Sequence, residues 1–330
     1  MKIRKTLGWA SAAALSLGAA AALAAPTVFI ALGMGNRVIA VDAATDRITA
    51  SYPGVDNPHG LIVTPDGQYL VAGSMMEAPL PASSPASTPN SKLFLVHPAH
   101  GHVMLTIPVA GWTHHQAVTP DGRYVISTHP TRGEVSVVDL RSNQVIKTIA
   151  TGPAPNFTAI TRDGKRAFVS NSGNGTLSQI DLADWRVTRT LEAGPAPEHV
   201  VLSADDKTLY VINPGAGTVS AVSVDSGKVE RSDTIGATLH GLDLGDDGHT
   251  LFISSVGDNK LVALDPRDGS QRALTLPSAP FHLNTIHGTG KVYVASQGDP
   301  VVWVVDQKSL KLVGSIKLPA GTAHQMAVKP

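Results

Sequence analysis

The sequence contains no cysteine, few aromatic residues and no excess of charge of either sign. Without thiols the chain can form no disulfide, no thiolate zinc site, no iron–sulfur cluster and no covalent haem attachment through a C-x-x-C-H motif. Its 26 basic and 26 acidic residues form no basic tract, which argues against nucleic acid or an anionic membrane as a partner. The sequence also lacks a nucleophile elbow, a phosphate loop and a dinucleotide fingerprint.

The first 24 residues have the organisation of a secretory signal peptide. Lys2, Arg4 and Lys5 form a positive region, an apolar stretch continues to Leu23, and Ala22–Ala24 supplies a small-x-small cleavage site. The apolar stretch is short for a membrane span, and no later segment reaches spanning length. We therefore expect residues 25–330 to be a soluble periplasmic or secreted protein, with no membrane association after cleavage.

One pattern recurs seven times along the chain: an apolar strand, a turn with Asp-Gly or a relative of it, and a second apolar strand. The copies begin at positions 59, 114, 156, 198, 240, 282 and 324, so the last five intervals are each 42 residues. A period near this value, with four short strands per unit, is typical of a β-propeller. In the third unit the four strands are predicted near Thr158–Thr161 and at Arg166–Asn171, Thr176–Asp181 and Arg186–Leu191. The first interval is longer, at 55 residues, which fits an insertion in the Pro/Ser-rich segment 77–90. We expect this insertion to be a mobile loop.

The two ends of the repeat array are predicted to complete one blade together. The seventh copy contains only an inner strand, whereas three strands near the beginning, Thr27–Leu32, Arg37–Asp42 and Arg47–Tyr52, belong to no copy. Pairing them would close the ring and remove two exposed sheet edges. The predicted fold is therefore all-β: a single seven-bladed β-propeller domain over residues 25–330, with four-stranded blades.

Three strands carry a resemblance to a known family. The segments Ala167–Asn171, Leu209–Asn213 and Val292–Ser296 resemble the Tyr-Val-Thr-Asn motif of bacterial YVTN-repeat propellers. The resemblance extends over essentially all of residues 25–330 and implies the propeller fold. It implies no single function, because that group includes binding proteins and enzyme subunits.

The first position of the seven copies is rich in histidine. Equal positions in a repeat become equal positions around the propeller axis, so these side chains are predicted to surround one mouth of the central channel at one level. The seven residues are His59, His114, Asn156, Glu198, His240, His282 and His324, and His115 and His199 follow one place later.

Five imidazoles on a rigid ring suit a transition metal. Neutral imidazole binds copper, zinc, iron and nickel, and a set without thiolate favours copper or zinc. We therefore interpret the five ring histidines as candidate ligands, of copper in first place, with Glu198 as an oxygen ligand or an orienting group. The arrangement is similar to nitrous-oxide reductase, whose seven-bladed propeller carries a multi-copper cluster on axial histidines. Asn156 and Glu198 interrupt the ring here, so reduction of nitrous oxide is not implied.

Two other interpretations stay open. The same mouth could bind a small organic molecule, with an imidazole as the general base of a hydrolase or lyase. Alternatively, the protein could be a non-catalytic scaffold whose flat faces bind a periplasmic protein, with the histidines hydrogen-bonded to loop backbone. Removal of one ring histidine would abolish metal uptake under the first interpretation and leave partner binding intact under the last.

Several residues outside the ring are secondary candidates. Met75 and Met76 precede the insertion, and Met34 occupies the matching loop of the closing blade, so all three are predicted on the histidine face. Thioether sulfur beside imidazole would suit copper. Trp112 precedes the second repeat and could cover the site. The histidine-rich turn 97–102 replaces a turn between outer strands and is predicted on the opposite face.

Overall fold

The structure is a computed structural model that describes residues 25–329. The predicted signal peptide, residues 1–24, lies outside the described residues. The described chain forms 28 β-strands in seven four-stranded antiparallel sheets, which confirms the predicted all-β, seven-bladed propeller. In this part of the chain no helix is long and apolar enough to cross a membrane.

Blades are numbered in chain order from the first complete repeat, and each runs from its inner to its outer strand. Blade 1 is β4–β7, and the following blades continue in sets of four to blade 6, β24–β27. Blade 7 has the order β28-β1-β2-β3. The strands are β1 Thr27–Leu32, β2 Arg37–Asp42, β3 Arg47–Pro53, β4 Pro58–Val63, β5 Leu70–Ser74, β6 Ser91–His97, β7 His102–Val109, β8 Gln116–Val118, β9 Tyr124–His129, β10 Glu134–Asp139, β11 Gln144–Ala150, β12 Pro155–Ile160, β13 Arg166–Asn171 and β14 Thr176–Asp181. They continue as β15 Arg186–Glu192, β16 Val200–Leu202, β17 Thr208–Asn213, β18 Thr218–Ser223, β19 Val229–Thr234, β20 Leu239–Leu244, β21 Leu251–Ser255, β22 Lys260–Leu264, β23 Gln271–Thr275, β24 Pro280–Ile286, β25 Lys291–Ser296, β26 Val301–Asp306, β27 Lys311–Lys317 and β28 Ala323–Lys329, with a short 3₁₀ helix at Pro214–Ala216.

In blades 1 to 4 the turns between the inner and second strands share one hydrogen-bond pattern. In blade 1 the Thr64 hydroxyl donates to Asp66 Oδ1 at 2.6 Å, and the same oxygen accepts the Gln68 amide at 3.0 Å. Gly67 follows with φ +67°, a conformation that glycine adopts without steric cost. The Thr/Ser-x-Asp contact recurs in blades 2, 3 and 4. In these four blades the turn fixes where the inner strand ends, and the opposite end of that strand lies at the channel mouth.

The closing blade forms as the sequence predicts. Strand β28 pairs antiparallel with β1, from Thr27 opposite Lys329 to Leu32 opposite Ala323. The Gln325 side chain also accepts a hydrogen bond from the Leu61 amide of blade 1 at 2.9 Å. Apolar clusters lie between neighbouring blades; one of them joins blade 7 to blade 1 through residues that include Phe29, Val38, Leu70 and Phe94. The core is therefore distributed between the blades around the ring.

Five of the seven described inner strands carry a bulge at the mouth end. In blade 1 Pro58 pairs with Ser74 and Leu61 pairs with Ala72, so two residues, His59 and Gly60, lie opposite one. Blades 3, 5, 6 and 7 show the same shift of register. In blades 2 and 4 the backbone makes the equivalent contacts just before the strand, around residues 114–115 and 198–199. A bulge re-aims side chains, and here it presents two consecutive residues of each inner strand at the mouth.

Candidate functional site

The strand pairing defines two bulge positions per blade, and it corrects the sequence alignment in blade 6. There Pro280 pairs with Ser296 and Leu283 with Val294, so Phe281 occupies the first position and His282 the second. The expectation that His282 is equivalent to His59 and His240 is therefore wrong, because this unit is one residue shorter up to its bulge. The first positions are His59, His114, Asn156, Glu198, His240, Phe281 and His324, and the second positions are Gly60, His115, Phe157, His199, Gly241, His282 and Gln325.

Seven imidazoles meet at the channel mouth. The closest ring pairs are His114 with His115, whose centroids are 4.2 Å apart, and His59 with His114, at 4.4 Å. The structure thus brings together the five ring histidines and both of the histidines that follow a ring position. The histidine cluster consists of His59, His114, His115, His199, His240, His282 and His324.

The cluster is not a ring at one level. His115, His199 and His282 are only 1%, 5% and 2% exposed, whereas most of the first-position histidines are partly exposed. These three residues occupy second bulge positions in blades 2, 4 and 6, and His59, at 4% exposed, is the buried histidine among the first positions. The expectation of a single level is wrong because each blade presents two positions at the mouth, which differ in burial and which the repeat spacing does not reveal.

Three overlapping triads within the cluster have metal-ligand geometry. In each triad one ring nitrogen per histidine lies within 4.8 Å of the others. The triads are His59–His114–His115, His59–His282–His324 and His115–His199–His282. Any two of them share one histidine, so ions in neighbouring triads would compete for the shared imidazole. Three imidazoles per ion leave a position open for solvent or a further ligand.

Buried ring nitrogens without a hydrogen-bond partner point into this cluster. Among the described residues, both nitrogens of His59 lack a partner, as do Nε2 of His115 and Nε2 of His199. His115 Nδ1 lies 3.2 Å from the Asn156 carbonyl oxygen, which can only accept, so Nδ1 carries the proton and Nε2 presents its lone pair. An unpaired buried polar group costs about 1–3 kcal/mol, and a bound ion would remove that cost.

Burial keeps the cluster neutral. Desolvation, the largest cause, together with mutual repulsion between the rings, lowers the pKa of His59, His115, His199 and His282 well below the ordinary value. Desolvation likewise lowers the pKa of His114 and of His324 to about 4, and that of His240 to about 3. At neutral pH the imidazoles are therefore uncharged, which is the form that donates a lone pair to a metal.

A carboxylate is linked to the cluster through two imidazoles. Glu198 Oε2 lies 3.5 Å from His240 Nδ1, and His240 Nε2 lies 3.2 Å from His282 Nε2. The Glu198 side chain is 29% exposed, so this chain connects the solvent with the buried His282. Such a carboxylate can orient a metal-bound histidine or accept a proton from it.

Aromatic side chains form walls around the imidazoles. The Phe281 ring stacks on His240 with centroids 3.8 Å apart, and the edge of Trp112 meets the His114 ring at 5.3 Å. Phe157 lies 4.8 Å from both His115 and His199. Trp112 was predicted to cover the site, whereas neither phenylalanine was predicted there, although each occupies a bulge position that histidine takes in other blades.

The insertion 77–90 is anchored beside Trp112. One carboxylate oxygen of Glu77 accepts the Trp112 amide at 2.7 Å and the Thr131 hydroxyl at 2.9 Å. The Ala78 amide bonds to the Asn90 carbonyl at 2.7 Å and closes the neck of the loop. The insertion is therefore attached at its base to the aromatic residue that covers His114.

The remaining candidates divide between the two ends of the propeller. Met75 and Met76 directly follow β5 at the mouth, where the Met75 amide donates to the Asn57 carbonyl at 3.2 Å. The histidine-rich turn 97–102 joins β6 to β7 at the other end of its blade, and its His97 and His100 rings stack 4.1 Å apart. The turn does not join the histidine cluster.

Comparison with known proteins identifies the fold and no family. No family model matches the sequence, and no curated protein matches it. Among solved structures, the chain is similar to a Bacteroides fragilis protein provisionally described as a 6-phosphogluconolactonase, with 16% identity, a TM-score of 0.76, and coverage of 95% of this chain and 100% of that one. A periplasmic gluconolactonase of Pseudomonas aeruginosa shows 17% identity and a TM-score of 0.73, with 92% and 99% covered. Hydrazine synthase of Kuenenia stuttgartiensis shows 21% identity and a TM-score of 0.69, with 79% and 86% covered. These likenesses establish a seven-bladed propeller, and the YVTN relationship stays a resemblance of strand motifs.

Proposed function

We propose that this protein is a periplasmic metal-binding propeller whose histidine cluster holds a transition-metal ion, copper in first place. The observation that carries the proposal is the convergence of neutral imidazoles, of which His59, His114, His115, His199 and His324 each have at least one buried ring nitrogen without a partner within the described chain. Histidines that only served packing would be expected to satisfy these nitrogens with backbone carbonyls.

The triad His115–His199–His282 is the best-prepared site. All three side chains are buried, each comes from a different rigid blade, and the lone pair of His115 Nε2 is fixed by the bond at Nδ1. Preorganised donors of this kind bind without a further loss of side-chain entropy. His59, His114, His240 and His324 surround the triad and would supply further ligands, and Glu198 would orient His240.

Copper is favoured by the chemistry of the donor set. The triads contain only imidazole, which suits copper and zinc, and copper(II) binds nitrogen donors more tightly than the other first-row divalent ions. Hard cations such as magnesium and calcium require oxygen ligands, and Glu198 alone supplies too few. The ion would act here as a bound cofactor or as the ligand that the protein carries.

The test is metal titration of tag-free protein with a matched pair of variants. Calorimetry with Cu(I), Cu(II) and Zn(II) at about pH 7.5 should show a site tighter than about micromolar, equivalent to about 8 kcal/mol. His199→Ala should weaken binding by more than about tenfold, because it removes one of three ligands, whereas His97→Ala in the distant turn should have no effect. Binding weaker than micromolar, or equal losses in the two variants, would contradict the proposal.

A hydrolytic site is the second candidate, and the Glu198–His240–His282 chain favours it. A carboxylate that orients one imidazole against another resembles the arrangement by which enzymes prepare a general base. One of the similar structures is named as a gluconolactonase, and another is provisionally described as a 6-phosphogluconolactonase. Metal-free protein would then hydrolyse simple sugar lactones, and Glu198→Gln would lower the rate. An activity that appears only on addition of metal would assign Glu198 to the metal site instead.

Export is part of the proposal. The pattern of residues 1–24 favours secretion, and one of the similar structures is named as a periplasmic protein. Fractionation of cells that express the full chain should place the processed protein in the periplasm. A product that keeps residues 1–24 and stays in the cytoplasm would contradict this assignment.

A further inference from the structure

Two exposed methionines flank the partly exposed side of the histidine cluster. Met34 lies in the loop between β1 and β2 of blade 7 and is 87% exposed, and Met76 follows β5 of blade 1 and is 56% exposed. Both loops join second to third strands, so both lie at the end of the propeller that carries the cluster. Large apolar side chains this exposed gain nothing from packing, and their sulfur atoms are accessible.

Asn57 and Gly33 connect the two methionines to His324. The Met76 sulfur lies 3.9 Å from the Asn57 side-chain nitrogen, and the Asn57 amide donates to Asn36 Oδ1 of the Met34 loop at 2.8 Å. A β-carbon placed on Gly33 would lie 2.6 Å from His324 Nε2 and 3.4 Å from Asn57 Oδ1. The loop that carries Met34 therefore runs directly against the His324 ring.

His324 is suited to receive an ion from this side. Its side chain is partly exposed and its Nε2 lies 3.3 Å from the Thr322 hydroxyl, whereas its Nδ1 is buried without a hydrogen-bond partner among the described residues. It also belongs to the triad with His59 and His282. His324 is therefore partly accessible at the rim, and its triad shares His282 with the buried triad His115–His199–His282.

We propose that Met34 and Met76 form a capture site that binds Cu(I) at the rim of the cluster and transfers it to His324. Thioether sulfur is a soft donor that selects Cu(I) over zinc and over hard cations. The transfer is a ligand exchange in which copper–sulfur bonds break as copper–nitrogen bonds form, with no change of oxidation state and no proton released. The inference rests on the proposed metal-binding function and adds to it a route and a preferred oxidation state.

The test is the rate of copper transfer from the Cu(I)–bicinchoninate complex, followed without oxygen by the loss of its colour. The double substitution Met34→Leu and Met76→Leu keeps the apolar volume and removes both sulfur atoms. We expect it to slow Cu(I) loading by roughly tenfold or more while the final copper content per chain and the rate of Zn(II) loading stay unchanged. Met104→Leu is the matched control, since Met104 is also exposed, at 45%, but lies on the outer strand β7 of blade 1.

The outcomes separate this inference from the proposed function. Equal loading rates in wild type and the double variant, with normal copper content, would overturn the capture site and leave the histidine site intact. A lower final copper content at an unchanged rate would make the methionines permanent ligands and would also overturn the capture role. Wild-type protein that takes up neither Cu(I) nor Zn(II) would overturn both proposals.

Discussion

Removal of β28 is the most direct test of how the ring closes. Truncation after Thr322 deletes the inner strand of blade 7, which pairs with β1 and buries Met326 and Ala327. We expect the truncated protein to lose cooperative folding, because β1 would become an unpaired edge and the apolar clusters on both sides of blade 7 would be exposed.

The size of the effect follows from the backbone pairing and the buried side chain that the truncation removes. Pairing of β28 extends over five aligned positions of β1, and backbone hydrogen bonds contribute about 1 kcal/mol each, so roughly 5 kcal/mol is removed. Burial of the Met326 side chain, which is 4% exposed, contributes about 1.5–3 kcal/mol more. The sum is comparable with the total stability of about 5–15 kcal/mol that is usual for a folded domain.

The assay is urea unfolding of metal-free protein, followed by tryptophan fluorescence and far-UV circular dichroism. Met326→Ala provides a graded version and should cost about 2–5 kcal/mol. Val313→Ala on the outer strand β27 removes a side chain that is 58% exposed and should cost less than about 0.5 kcal/mol. A truncated protein that unfolds cooperatively at the midpoint of the full chain would refute the closure by β28, as would equal costs for the two substitutions.

Three further predictions concern the insertion, the bulge and pH. Glu77→Ala should lower the free energy of unfolding by about 1–3 kcal/mol, because three hydrogen-bond donors lose their acceptor. Replacement of the loop tip 79–89 by a short Gly-Ser link should lower it by less. A larger loss for the loop replacement than for Glu77→Ala in urea unfolding would contradict this prediction. Gly60→Ala should destabilise by about 1–3 kcal/mol, since its β-carbon would collide with the next inner strand, and Gly215→Ala, with open space around it, should be close to neutral in the same assay. The pKa of His114 is about 4 in the folded protein and about 6.5 in the unfolded chain, so the unfolded state binds more protons as the pH falls below about 6.5. The free energy of unfolding of metal-free protein should therefore be about 1 kcal/mol lower at about pH 5.5 than at about pH 7.5 because of this group. Unfolding free energies that are equal at about pH 7.5 and 5.5 would contradict the last prediction.

In blade 3 the two middle strands were predictable to the residue, whereas the inner strand was not. The predicted bounds Arg166–Asn171 and Thr176–Asp181 are confirmed, because Asp-Gly and Asn-Gly turns fix their ends by local chemistry. The inner strand of the same blade was predicted near Thr158–Thr161 and instead runs over Pro155–Ile160. Its first residues take part in a bulge. A bulge depends on pairing with the neighbouring strand and does not show in the periodicity of the sequence.

The same limit applies to the site. Spacing in the repeat was enough to predict that histidines converge at one mouth, because equivalent positions in a propeller share one height and one direction. It could not show that His115 and His199 lie deeper than His114 and His240, since the sequence does not reveal which two residues share a bulge. It also placed His282 one position away from its structural equivalent, because equal spacing does not guarantee equal register.

Glycine at the second bulge position helps to explain why the buried triad comes from alternate blades. A β-carbon on Gly60 of blade 1 would collide with the Gln116 side chain of blade 2, and one on Gly241 of blade 5 would collide with the backbone around His282 in blade 6. In both places the absence of a side chain lets the following inner strand approach, and that strand carries a buried histidine. Blade 4 differs, because His199 follows Phe157 of blade 3 and packs against its ring at 4.8 Å. A histidine substituted for Gly60 would therefore not enlarge the cluster; it would displace the inner strand that holds His115.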